Sequence, residues 1–257
     1  MLFRSDRSKD TLVYAGHIRL NISDWFFLKK DIAISYAGLE DVYINAYRKD
    51  STWNYQFIMD ALSSGKQSNG KPTALKLNIG ALDLKKIRYT SKDEWRGEDQ
   101  NLTISKLSLS AGLIDLKNKK IQFNNFTINQ PYFALHQHTG KRPKSLVPKT
   151  EKRINGKLYW NPGQWNISAR SISLQSGNFK SDLATSRKAY DHFDGAHMHF
   201  SDITAGIKNL QLNNDSLSGQ LSLKTKERSG FEVSALLANV KMDPTIMDFT
   251  ELTIETP

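Results

Sequence analysis

Hydrophobic and polar residues alternate with a period of two along much of this chain. Arg19 and Asn21 separate Ile18, Leu20 and Ile22; Lys76 and Asn78 separate Leu75, Leu77 and Ile79; Ser168 separates Ile167 and Ala169. Successive side chains of a strand point to opposite faces. The pattern therefore predicts strands with one apolar and one wetted face, as in antiparallel sheet. Four breaks interrupt the alternation, each by one extra residue: Ile79 to Leu82, Ile104 to Leu107, Phe123 to Phe126, and Ala169 to Ile172. An inserted residue is a β-bulge, which bends a strand and strengthens its twist. The expected fold is all-β, a long curved antiparallel sheet; short loops between separate strands are the other reading of the breaks. Helical spacing occurs at Phe57, Ile58, Ala61 and Leu62, which predicts one short helix near residues 53–62 capping an end of the sheet. The stretch Ser63 to Pro72 reads as a polar surface loop.

The pattern also repeats. Aligning Ile18 with Leu107 places Leu20 on Leu109, Ile32 on Ile121, Ile34 on Phe123, Leu39 on Ile128 and Tyr43 on Tyr132. Aligning Leu107 with Ile203 places Ile114 on Leu210, Leu116 on Leu212 and Ile121 on Leu217 before register is lost. Polar turns recur at Leu28 to Ile32, Leu116 to Ile121 and Leu212 to Leu217. This predicts one elongated domain over residues 1–257, with units near 12–62, 74–140 and 154–257, growing along an axis without a central core.

Composition narrows the function. The chain has 257 residues, 39% of them hydrophobic, with no cysteine and no apolar run long enough to span a membrane. Its first ten residues lack the apolar core of a signal peptide. A net charge of +10 permits an anionic partner. The one dense basic cluster is Lys141, Arg142, Lys144, Lys149, Lys152, Arg153 and Lys157. It reads as a solvated loop, or as a contact for anionic lipid or a partner protein; with no aromatic platform inside it, no nucleic-acid role is expected. The pairs His136/His138 and His197/His199 share strand faces, but no metal-site motif supports them, and no metal or cofactor is expected. No nucleophile elbow or phosphate-binding glycine loop occurs, so no enzyme activity and no catalytic residue is expected. The Asn-x-Ser/Thr triplets at Asn21, Asn101, Asn125, Asn166 and Asn214 follow from the Asn-rich composition.

Several segments resemble a known family. Asp10 to Tyr14, Ile18 to Ile22, Phe27 to Ile32, Leu39 to Asn45 and Asn54 to Ile58 are similar to the opening region of TamB proteins of Bacteroidetes, in the AsmA-like superfamily. Leu82 to Tyr89 fits the same family, and the resemblance is best over residues 10–135. It implies a fragment of a longer protein, periplasmic and anchored to the inner membrane through an N-terminal segment absent here. It implies a taco-like groove with an apolar interior. Such a module carries phospholipid acyl chains between inner and outer membrane and supports outer-membrane protein assembly with a partner barrel, reached through regions also absent. Candidate lipid-lining residues are Ile18, Leu20, Ile32, Ile34, Leu77, Ile79, Leu82, Leu84, Ile104, Leu107, Leu109, Ile121, Phe123, Ile167, Ile172 and Leu174. The same residues also suit a closed, dry core. Two other functions stay open: a carbohydrate-binding or adhesive repeat protein using Trp95, Trp160 and Trp165, and a glycan lyase or hydrolase on a β scaffold.

Overall fold

A computed structural model describes residues 2–4, 11–22, 32–63, 77–115, 118–146, 159–184 and 187–257. The alternating segments form strands β1 (Leu2–Arg4), β2 (Thr11–Ile22), β3 (Ile32–Arg48), β4 (Leu77–Asp93), β5 (Glu98–Asp115) and β6 (Lys120–Asn129). These are followed by β7 (Tyr132–Gln137), β8 (Asn166–Leu183), β9 (His197–Asn213), β10 (Ser216–Glu227), β11 (Glu232–Met242) and β12 (Met247–Glu255). All twelve belong to one sheet, in the order β1-β2-β3-β4-β5-β6-β8-β9-β10-β11-β12. β7 continues β6 past Gln130 and Pro131, so the two together run between β5 and β8. The fold is all-β, as the periodicity predicts.

Pairing departs from the antiparallel expectation at two joints. β3 pairs with β4 in parallel, and so does β6/β7 with β8. A parallel joint needs a crossover of a dozen residues or more, and residues 49–76 and 138–165 provide one each. Alternation reports a strand's faces but not its direction, so the pattern could not show this. The helix, α1 (Gln56–Ser63), lies on the first crossover. It starts later than the spacing suggests because Asn54 is tied back to β3. Asn54 N–H donates to Tyr47 O at 2.9 Å, Tyr47 N–H to Asn54 Oδ1 at 3.0 Å, and Asn54 Nδ2 to Asn45 O at 2.9 Å. Tyr55 and Ile58 then overhang Leu12, Val13, Ile44, Ala46 and Tyr89, leaving an open depression of about 380 Å³. Among the described residues no helix is long and apolar enough to cross a membrane. Ser63, expected to open a loop, is the last residue of α1; the rest of that loop, 64–72, and the turn at 28–31 lie outside the described residues.

The four breaks in alternation are irregularities in the ladder, and they line up. One crease, the upper, crosses the sheet at Ser35, Gly80, Asn124, Arg170 and Asn209, where the paired registers skip a residue. A second crosses at Gly16, Asp41, Lys86, Ser105, Gln130 and Ser176. On β3, β4, β6/β7 and β8 the two creases stand six residues apart, about 20 Å of strand. Asp41, Lys86, Gln130, Ser176 and Asn209 adopt left-handed backbone, with φ between 49° and 55°. The offset of 89 between apolar positions also carries the Ile18–Leu39 pair onto Leu107–Ile128, and Gly16 and Asp41 onto Ser105 and Gln130.

The crossovers fasten to the strand ends. Arg48 and Asp93 form a buried ion pair, with Arg48 Nε 2.9 Å from Asp93 Oδ1 and its guanidinium 4.6 Å from the centre of the Trp53 ring. Burial pushes the Asp93 carboxyl up, but the hydrogen bonds from Arg48 and the Arg96 N–H outweigh it and hold it below the usual carboxylate range. The β4–β5 turn clamps the second crossover: His138 N–H reaches Gly97 O, Lys141 N–H reaches Glu94 O, and the Lys141 ammonium pairs with the Glu94 carboxylate. Gly97 has φ +79°, and a Cβ there would lie 2.0 Å from His138 O, so only glycine fits this contact.

Candidate functional site

Residues paired across a sheet share a face, so the registers show what each face carries. Between the creases, Ile18, Leu39, Leu84, Leu107, Ile128, Leu174, Ala205, Leu223, Leu236 and Ile254 form one unbroken row from β2 to β12. Beside it run Leu20, Ala37, Leu82, Leu109, Phe126, Ile172, Ile207, Leu221 and Ala238. At about 4.8 Å per strand, the longer row measures about 43 Å.

The face survives both creases, because each bulge adds one residue and so puts residues three apart on the same side. The rings of Phe123 and Phe126 stack across the upper crease at 6.1 Å. At the lower crease, a Cβ on Gly177 would lie 2.6 Å from Leu174 Cδ2 and 3.3 Å from Ile203 Cβ, so these residues face one another. Beyond the upper crease lie Ile114, Ile121, Ile167, Leu212 and Leu217. Beyond the lower one, Val13, Ile44, Tyr89, Leu102, Phe133, Phe179 and Phe200 make another row, with ring centres 5.9 and 6.3 Å apart at its β7–β9 end.

The opposite face is polar. The row between the two just described on β2 to β12 is Arg19, Gly38, Asp83, Ser108, Thr127, Ser173, Gly206, Ser222, Leu237 and Thr253. Hydroxyls on this face bond to Asp83: Ser108 Oγ from the same row at 2.6 Å, and Tyr36 Oη from the next row at 3.2 Å. A depression of about 650 Å³ lies on this side over β8–β12, where serine and glycine leave the surface low. At the lower crease Lys86 Nζ reaches Glu40 at 3.1 Å and Asp41 at 3.7 Å. The hydrogen bond from Lys86 holds the Glu40 carboxyl below its ordinary value and raises the lysine in turn.

Ten of the sixteen candidate lining residues fall on these rows. Ile18, Leu84, Leu107 and Leu174 share one, and Leu20, Leu82, Leu109 and Ile172 the next. Ile121 and Ile167 pair above the upper crease, Phe123 lies beside Ala169, and Ile104 is buried just below the lower crease. Ile34 pairs with Ile79, and Ile32 with Leu77; the side chains of Ile32, Leu77 and Ile79 lie outside the described residues. Sequence reasoning missed the far half of the strip, including Ile207, Leu221, Leu223 and Leu236. Leu221, Leu223 and the intervening Ser222 carried the alternation signal, but the repeat lost register there because bulges at Asp202 and Asn209 shift β9 against β10.

No second layer covers this strip among the described residues. Every close backbone contact between elements joins ladder neighbours. Leu12 is the one large side chain among the described residues that is fully buried. Ile18, Leu20 and Ile254 stand 43%, 54% and 55% exposed, whereas Ala37, Leu109 and Ala238 are buried among taller neighbours on the same face.

Other candidate groups are dispersed. Trp95 sits in the β4–β5 turn, whereas Trp160 and Trp165 lie at the far end of the strands, where Trp160 N–H bonds Asp215 Oδ1 at 2.9 Å. These rings do not share a platform. His138 faces Asp99 at 3.6 Å, and His197 faces Asp182 at 3.3 Å. Among the described residues no three His, Asp or Glu side chains converge as metal ligands. Of the basic cluster, Lys141, Arg142 and Lys144 are described; Lys149, Lys152, Arg153 and Lys157 lie outside the described residues. No protein-family model matches this chain, and a search of curated proteins finds no match to it.

Proposed function

We propose that the chain is a non-catalytic β-groove module that holds phospholipid acyl chains, in the manner of TamB and AsmA-like proteins. The observation that carries this reading is the uninterrupted apolar strip crossing β2 to β12 opposite a polar face. An acyl chain laid along such a strip is worth roughly 0.8 kcal/mol per buried CH₂ and needs no polar contact. At about 43 Å the strip exceeds the ~30 Å hydrocarbon core of a bilayer, so the tails of a phospholipid fit within it. The resemblance over residues 10–135 supplies the wider setting: a periplasmic protein held at the inner membrane, passing phospholipid toward the outer membrane and assisting outer-membrane protein assembly with a barrel partner. Curling of the repeated units into a taco-like groove belongs to the same proposal. Leu109 and Ile104, dry with no layer above them, favour an inward-curling apolar face.

The test is gentle purification followed by native mass spectrometry and lipid extraction. Stoichiometric phospholipid supports the proposal. A folded chain that neither retains phospholipid nor takes it up from vesicles refutes it.

A further inference from the structure

The lower end of the sheet, beyond the second crease, carries further exposed apolar side chains in its turns. Tyr190, Phe193 and Phe231 are 48%, 54% and 55% exposed, and Leu146 is 59% exposed. They come from chain segments at one end of the sheet: the β8–β9 loop, the β10–β11 turn, and the segment after β7, which Lys141 and Arg142 tie to the β4–β5 turn. The same segments carry the exposed cations Lys144, Lys188 and Arg228. Asp191 is the one exposed carboxylate within these described turns.

These turns are built to hold their shape. Asp194, 4% exposed, accepts Arg187 Nη1 at 2.6 Å and Nη2 at 2.8 Å, together with the N–H groups of Tyr190 at 3.2 Å and Ala196 at 3.0 Å. The Arg187 guanidinium lies 3.9 Å from the centre of the Tyr190 ring, and Tyr190 stacks on His192 at 5.0 Å. In the next turn, Glu227 is buried and accepts the N–H groups of His199 and Ser229. Arg228 N–H and Nε bond His199 O and His197 O, and Glu227 N–H closes the turn on Phe231 O at 2.7 Å. The loops thus fix aromatic rings in water rather than fold them away. A ring presented on a preorganised turn loses little entropy when it is buried by a partner.

We infer that this end of the sheet docks on an anionic lipid surface, with Tyr190, Phe193, Phe231 and Leu146 at the headgroup boundary and Lys144, Lys188 and Arg228 facing phosphates. Aromatic rings with an apolar body favour that boundary, and each nearby cation adds attraction to anionic lipid. The excess of cations over the single exposed carboxylate favours anionic lipid over a neutral surface. The inference stands apart from the lipid-strip reading, since it uses none of the strip's residues.

The experiment is co-sedimentation of the full chain with phosphatidylcholine vesicles, with or without phosphatidylglycerol, at low and high salt. Association is expected with the phosphatidylglycerol vesicles and weakens as salt rises. Phe193→Ser and Phe231→Ser each weaken it about tenfold with melting temperature unchanged. Lys144→Glu with Lys188→Glu removes much of the salt-sensitive part, while Lys119→Glu with Lys120→Glu, the same charge change at the opposite end of the sheet, leaves it intact. Absence of binding to the anionic vesicles overturns the inference, as does binding that the phenylalanine changes do not alter. A protein retained through Phe193 by a chain that ignores vesicles also overturns it, and reassigns the patch to a protein partner.

Discussion

Exchanging Leu84 and Leu107 together for aspartate tests the strip at its centre. The two are paired across β4 and β5 and lie on the apolar face, each partly exposed. Full burial of a leucine is worth about 1.5–3 kcal/mol, so a half-buried one gives roughly half to the fold and offers the rest to a ligand. Two substitutions then remove about 2 kcal/mol of contact with an acyl chain. Each new carboxylate also has to lose water against hydrocarbon, at a cost of at least about 1 kcal/mol. The total, about 4 kcal/mol, is a loss of about a thousandfold in lipid retention. Lys85→Asp with Lys106→Asp is the matched control: these residues pair across the same two strands, one position along, and face the other way. Native mass spectrometry with quantitative lipid extraction reads retention, and circular dichroism confirms the sheet. Lipid retained by the folded leucine variant refutes the reasoning, and so does equal loss in the lysine variant.

Other expectations concern the scaffold. Ser176→Val, at a left-handed position with φ 53°, lowers stability by about 1–2 kcal/mol in urea titration, whereas Ser173→Val on the same strand changes it by less than about 0.5 kcal/mol. Gly97→Ala lowers the urea midpoint by the equivalent of more than about 1 kcal/mol, since its Cβ meets His138 O and its φ is +79°. Asp93→Asn leaves Arg48 buried without its counter-charge and costs about 3 kcal/mol, read from the same titration. Asp93, Asp194 and Glu227 all bind protons less readily folded than unfolded. The unfolded chain therefore takes up protons first as pH falls. Stability is fully present above the ordinary carboxylate range and declines below about pH 4, which thermal melts across pH will show.

The face of each strand was legible because burial writes itself into the sequence at period two. The breaks were legible for the same reason: Phe123 and Phe126 keep one face only if a residue is inserted between them, and their rings do stack. The alignment of those breaks into two creases was not legible, since Gly80, Asn124 and Arg170 share no residue type and meet only through pairing. Nor was strand direction: Leu39 and Leu84 carry the same alternation whether their strands run together or opposed. The exposed rings at the lower end escaped notice because Phe193 and Phe231 sit in turns, where no periodicity marks a side chain as outward. The buried acids Asp194 and Glu227 were equally silent, because what buries them is loop geometry built by Arg187, Ser229 and main-chain N–H groups.

The creases and the strip depend on one another. Strands of 17 or 18 residues, such as β3, β4, β5 and β8, run for nearly 60 Å, and a sheet that long twists strongly. Without compensation, one inserted residue moves every later apolar side chain to the other face. Here the apolar pattern slips by one residue at each bulge, so the face is kept while the strand bends. What results is a band about 20 Å high, bounded by two creases, in which two apolar rows run on from strand to strand. An acyl chain lying along that band meets much the same surface at each strand, about 4.8 Å further on. Bound by apolar area alone, it finds no single register better than the next. The barrier to sliding is then set by local differences such as Ala205 among leucines, which is how a surface holds lipid while letting it move.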